Sequence, residues 1–164
     1  MTVVVADTSP INYLVLIGEI GILPLLYHDI VIPEAVLSEL SDTNAPVQVR
    51  EWATRLPDWI RIRAVSVCDA ALMELDAGEA AAIALAELTT DALLLIDETA
   101  GRPEASRRGI PNTGTLGVLR RAAIEQLVDL PSVLNSLVST NFRVSKSLVA
   151  DLLAEDAEPK RKIN

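Results

Sequence analysis

The chain has 164 residues, half of them hydrophobic and only 3% aromatic, with a formal net charge of −9. That length suits one compact domain with a core of Leu, Ile, Val and Ala, and the hydrophobic content excludes a disordered chain. The acidic balance excludes a passive nucleic-acid coat: any polyanion bound here must meet a local reversal of sign from metal ions, a small basic patch or a basic partner.

Thr2–Ala6 is a short β-branched run that ends at Asp7, apolar throughout as a strand buried on both faces is. Ser9–Pro10 offers a cap and a first-turn proline for a helix over INYLVLIG. ILPLLY predicts a further short helix and Ile30–Ile32 a second strand. Pro33 opens a helix over PEAVLSELSD, Ala45–Pro46 breaks the chain, and VQVREWATRL reads as an amphipathic helix. Trp59–Val67 alternates like an edge strand, Asp76–Leu88 is an Ala-rich helix, and Leu93–Ile96 is a second fully apolar strand that ends in Asp97 and Glu98. A helix ending near Gly109 follows, then an extended segment at Ile110–Asn112 and helices over Leu116–Leu127, Pro131–Val138 and Lys146–Ala154.

Strands alternating with helices predict a three-layer α/β/α architecture with a central parallel sheet. With no repeat or linker in view, the expectation is a single domain over residues 1–155 and a flexible basic tail over 156–164, ending PKRKIN. Cys68 is the one cysteine, so neither an internal disulfide nor a cysteine-based zinc site is available, as suits a reducing compartment. No run approaches the ~18 apolar residues of a membrane span, and MTVVVADTSP lacks the basic start and long apolar stretch of a signal peptide. The expected location is the cytoplasm, without membrane association.

In open parallel sheets, ligands bind outside the carboxyl ends of the strands. Both fully apolar strands end in acid there, at Asp7 and at Asp97 with Glu98. Each acid taken alone is equally well read as a cap for the helix that follows. Glu39 lies at the margin of the apolar face formed by Leu37 and Leu40, where a solvated helix acid is the simpler reading. Asp76 and Glu79 have capping-box spacing, which does not exclude metal binding. Carboxylates gathered in one cleft repel one another and raise their own pKa values, a conflict that divalent cations remove. An all-oxygen set suits Mg2+ or Mn2+ and metal-assisted phosphodiester hydrolysis.

ADTSPINYL resembles the opening motif of PIN domains, an Asp after the first strand with Ser or Thr two residues on. VLSEL resembles the second motif, with Glu39 as its acid; LDAGEAAAIALA and LLIDETAGR resemble the third and fourth motifs of a subfamily close to the VapC toxins, and TGTLGVL the segment that follows. The blocks run in order from Val3 to about Leu119. One departure stands out: Gly101 precedes Arg102 where the subfamily usually has Ala, and Pro103 follows.

The resemblance implies a PIN-like fold and a metal-dependent endoribonuclease, the toxin of a type II toxin–antitoxin pair. It assigns Mg2+ or Mn2+ ligation and catalysis to Asp7, Glu39, Glu79 and Asp97, leaving 5′-phosphate and 3′-hydroxyl ends. Ser9 would orient a water or a carboxylate, and Glu98 and Asp76 would support the site. Arg102, Arg107 and Arg108 are candidates for binding RNA phosphates; Arg120 and Arg121 follow further on, and each arginine is as well read as solvated. The implied partners are an RNA substrate, a protein antitoxin that blocks the cleft and a second copy of the chain as a homodimer.

His28 is the only histidine, which argues against His-based zinc or triad chemistry. A phosphatase using Asp7 as nucleophile needs an Asp two residues on, where this chain has Ser9. A nucleotide-binding module lacks its glycine-rich loop. The remaining alternative is a non-catalytic PIN-like adaptor that acts through protein binding.

Overall fold

A computed structural model describes residues 2–97 and 101–158. The chain divides into two compact units, residues 1–115 and 116–164. The first holds strands β1 (Val3–Ala6), β2 (Ile30–Pro33), β3 (Ile60–Arg63), β4 (Ala92–Leu95) and β5 (Asn112–Thr113). Between them run α1 (Thr8–Leu16), α2 (Ile22–Tyr27), α3 (Glu34–Leu40), α4 (Val47–Thr54), α5 (Ala77–Glu87) and α6 (Gly101–Arg107). A 3-10 turn at Leu72–Glu74, which the sequence pattern did not announce, precedes α5.

The strands form one sheet in the order β3-β2-β1-β4-β5, and every pair is parallel. Helices flank the sheet in a three-layer α/β/α arrangement. The central strands show why. Val4, Val5 and Ala6 are all buried, and successive strand residues point to opposite faces, so both faces are covered. On one face, Val5, Leu94 and Ile96 pack with Ala80, Ala82, Ile83 and Ala86 of α5 and Ala105 of α6. The register pairs Val4 with both Ile30 and Leu93, which places β1 at the centre. β3 alternates buried and open positions, as an edge strand does.

Most expected elements occur with small shifts of boundary; the strand expected over Trp59–Val67 is confined to Ile60–Arg63. α1 starts at Thr8 instead of after Ser9, because the chain turns into the helix directly from Asp7. Pro33 closes β2 and opens α3 in the same step.

The second unit carries α7, which starts at Thr115 and runs to Ile124, then α8 (Leu130–Val138) and α9 (Lys146–Ala157). Asp129 caps α8 by accepting from Ser132 N–H, and Ser145 caps α9 by accepting from Leu148 N–H. α8 buries Leu130, Val133, Leu134 and Leu137 along one stripe. Residues 159–164, most of the expected basic tail, lie outside the described residues.

Candidate active site

From β1 the chain moves outward to β2 and β3, and from β4 it moves to β5 on the other side. The point where the order reverses therefore lies between β1 and β4, the place where open parallel sheets form a ligand crevice. Asp7 directly follows β1, and Asp97 lies two residues beyond β4. The two strand ends are tied together by the Asp7 amide, which donates to the Leu95 carbonyl at 2.9 Å.

Asp7 holds the N-cap position of α1, yet its side chain makes no capping bond. Asp97 is firmly held. Its Oδ1 accepts from Thr115 N–H at 2.7 Å, and its Oδ2 accepts from Thr115 Oγ1 at 2.8 Å and from Ser9 Oγ at 2.6 Å. The amide it binds begins α7, across β5 from its own strand.

The other acids arrive on helices. Because α5 runs back toward β4, its N-terminus reaches the carboxyl edge of the sheet. Asp76 caps it, with Oδ1 accepting from Glu79 N–H at 3.0 Å. Glu79 Oε2 accepts from Gly101 N–H, at the start of α6, at 2.8 Å. Glu39, on the last turn of α3, accepts from Thr8 Oγ1 at 2.8 Å and from Gly78 N–H at 3.1 Å. Asp7, Glu39, Asp76, Glu79 and Asp97 thus belong to one edge, with Ser9 among them. Glu98 lies outside the described residues.

The buried polar or charged residues among those described are Asp7, Glu79, Asp97 and Thr115, with Asp7 only 3% exposed. All belong to this edge, so the burial of polar groups is concentrated where it does not serve the core. Burial pushes the Asp7 carboxyl up to about 8, the Thr8 amide offsets part of that rise, and the charges of Glu79, Asp76 and Glu39 add to it. Burial likewise raises Glu39, against the lowering effect of its bond from Thr8. Asp7 Oδ1 is buried without a hydrogen-bond partner among the described residues.

A divalent cation fits this donor set. All the candidate donors are carboxylate oxygens, and a cation would give Asp7 Oδ1 the partner it lacks. The set is not drawn together as a ready cluster: among the described residues, no three acidic, His or Cys side chains stand as a preformed metal-binding group.

The arginines separate. Arg102 Nε donates to Asn112 Oδ1 at 3.0 Å, and both Arg102 Nη1 and Asp97 Oδ1 lie close around Gly114. Arg102 therefore stands beside the acids. Arg107 and Arg108 engage other acids: α6 carries Arg107 about 9 Å along its axis from Gly101. Arg107 pairs with Glu104. Arg108 pairs with Asp69, Glu87 and Glu104 at 2.9, 2.9 and 2.8 Å and is only 11% exposed. Arg121 pairs with Glu125, and Arg120 with Glu155. His28 is exposed, in the turn before β2.

Sequence reasoning missed Thr8, Thr115 and the glycines that touch the carboxylates. The TGTLGVL block contains Thr115 and was the available signal; nothing local marks Thr8 over Ser9.

A parallel sheet whose buried acids gather at its switch point defines a hydrolase-type site able to take a cation and an anionic substrate. The chain belongs to the PIN-domain family: a family model described as a PIN domain matches residues 3–158. PIN domains are generally nucleases that use divalent metal ions, which gives the chain a nuclease-type function on nucleic acid. No curated protein matches it in sequence. Among the described residues, no helix is long and apolar enough to cross a membrane.

Proposed function

We propose that the chain is a metal-dependent endoribonuclease that hydrolyses RNA phosphodiester bonds, the toxin of a type II toxin–antitoxin pair. The observation that carries this reading is Asp7 Oδ1, a buried carboxylate oxygen without a partner among the described residues and amid other acids. A buried polar atom left in that state is costly, and a site that retains it is built for something to be added.

Asp7, Glu39, Glu79 and Asp97 would hold Mg2+ or Mn2+, supported by Asp76 and Glu98. When bound, the cation supplies an activated water and offsets the phosphate's charge. The rest falls to the chain itself. Ser9 and Thr115 fix the orientation of the Asp97 carboxylate. Asp7, protonated near neutral pH in the free protein, gives up its proton as its charge gains a partner. Arg102 is placed to meet a phosphate beside Asp97, whereas Arg107 and Arg108, engaged with acids of their own, are weaker candidates for RNA contact.

The match over residues 3–158 spans both compact units, which supports reading them together as one functional domain. A cytoplasmic location, a homodimer and an antitoxin that inserts a basic side chain into the acidic cleft belong to the same proposal.

One observation favours the non-catalytic adaptor: the acids are not preassembled into a group of three. Incubating the chain with single-stranded RNA in Mn2+ and in chelator separates the two readings. The nuclease yields metal-dependent fragments with 5′-phosphate and 3′-hydroxyl ends. The adaptor takes up no Mn2+ and leaves the RNA intact.

A further inference from the structure

Each of three carboxylates at the site rests against a glycine from another part of the chain. A Cβ placed on Gly78 would overlap the Glu39 carboxylate, and one on Gly101 would overlap Glu79 Oε2. One on Gly114 would lie 2.7 Å from Asp97 Oδ1 and 3.3 Å from the Ile96 carbonyl. Two of these glycines also donate their amide to the same carboxylate, Gly78 to Glu39 and Gly101 to Glu79. None of the three has a positive φ, so backbone conformation does not demand glycine there. Gly78 even lies within the first turn of α5, where glycine is the poorer helix former. By contrast, a Cβ on Gly21 would have nothing within 4 Å.

We propose that Gly78, Gly101 and Gly114 are positioning residues for the acid cluster: each leaves the space in which one carboxylate sits, and a methyl group there displaces that carboxylate from its place in the cleft. The inference rests on the reading of the cleft as a cation site. Its physical basis is where the strain goes. At Gly78 the overlap falls on the far end of the half-buried Glu39, so the side chain yields and the backbone stays; at Gly101 it falls on the buried Glu79 carboxylate and, at 3.0 Å, on Ile96 Cδ1 of the core, so both side chains must give. At Gly114 it falls on a short aspartate already fixed by Ser9 and Thr115, and on a backbone carbonyl, so nothing nearby yields easily.

The experiment is calorimetric titration of the full-length protein with Mn2+, alongside thermal melting in chelator. Gly78→Ala and Gly101→Ala are expected to weaken Mn2+ binding by about tenfold or more, as loss of a ligand's supporting contact does. The melting temperature of Gly78→Ala in chelator should hold or rise, because alanine favours the helix; that of Gly101→Ala should fall modestly, because its methyl meets core Ile96 and displaces buried Glu79. Gly21→Ala is the control and should bind as the parent does. Rescue is the readout that a merely structural glycine would not give. Shortening the acid with Glu39→Asp or Glu79→Asp withdraws it from the new methyl, so each alanine–aspartate pair should lose less affinity than the two single effects combined. Gly114→Ala should lose both affinity and melting temperature.

Unchanged Mn2+ affinity in Gly78→Ala and Gly101→Ala, or strictly additive losses in the pairs, would overturn the proposal. A parent protein that takes up no Mn2+ overturns it together with the cation reading. Mn2+ uptake without RNA cleavage removes only the ribonuclease assignment and leaves this inference standing.

Discussion

Ser9 Oγ donates to Asp97 Oδ2 across 2.6 Å, joining the first turn of α1 to the end of β4 over 88 residues of chain. The bond crosses the switch point between the two central strands, so it orients an acid and closes the crevice floor together. Ser9→Ala removes one of the hydroxyl donors to a charged acceptor, a loss of about 1.5–3 kcal/mol at most. The expected outcome is weaker Mn2+ binding and slower RNA cleavage in a folded protein, with a modest drop in melting temperature. Parent-like metal affinity would show that Thr115 alone orients Asp97.

Asp97→Asn is expected to abolish cleavage and weaken Mn2+ binding without unfolding the chain. The amide oxygen can still accept from Thr115 N–H, and the two hydroxyls can turn to accept from the new NH2. The fold keeps its bonds while the site loses a charge. Circular dichroism and Mn2+ titration of the purified variant check both halves.

Asp7 makes stability depend on pH. Its carboxyl is raised from 3.8 to about 8 in the folded protein, so between those values the folded state holds a proton that the unfolded chain has released. In chelator, the stabilisation linked to Asp7 is therefore complete below the unfolded value and is lost as pH rises through about 8, at up to about 1.4 kcal/mol per pH unit. Asp7→Asn removes this dependence and should melt higher than the parent in chelator above pH 8. Mn2+ should reverse that order, since only the parent gains a ligand. Melting curves across pH 5–9, with and without Mn2+, provide the measurement.

Arg102 and Arg108 should separate by assay. Arg102→Ala is expected to lower RNA affinity and to reduce the salt dependence of binding by about one unit of slope. Arg108→Ala leaves Asp69, Glu87 and Glu104 facing one another without their shared cation, so its first effect should be a lower melting temperature at low salt. The reverse pattern would place Arg108 on the RNA path.

The fold was legible where one strand or helix decides its own state. TVVVA and LLLI read as buried strands and lie within a residue of β1 and β4, and Asp76 caps α5 at the spacing the sequence shows. Asp7 and Asp97 were legible as acids at strand ends. What they do there was not, because capping and ligation leave the same local pattern. In the structure Asp7 makes no side-chain cap, and Asp97 reaches an amide 18 residues on. The glycines behind the carboxylates were beyond reach for the same reason, since Gly78 meets Glu39 across 39 residues. Arg107 and Arg108 were candidates for binding RNA phosphates alongside Arg102. The helical rise of α6 carries them off, and acids from three separate segments hold Arg108 there.

The site draws its parts from Asp7 through to Thr115, and the last of them pins an acid across the final strand. A ribosome making this chain releases Asp7, Glu39, Glu79 and Asp97 one after another, but their frame closes only once β5 and the two residues after it have emerged. A nascent chain cut short before that point carries all four acids but lacks both Thr115 bonds that fix Asp97. If the finished protein cuts RNA, its unfinished copies are harmless to the message being translated, and aborted synthesis leaves inert fragments behind.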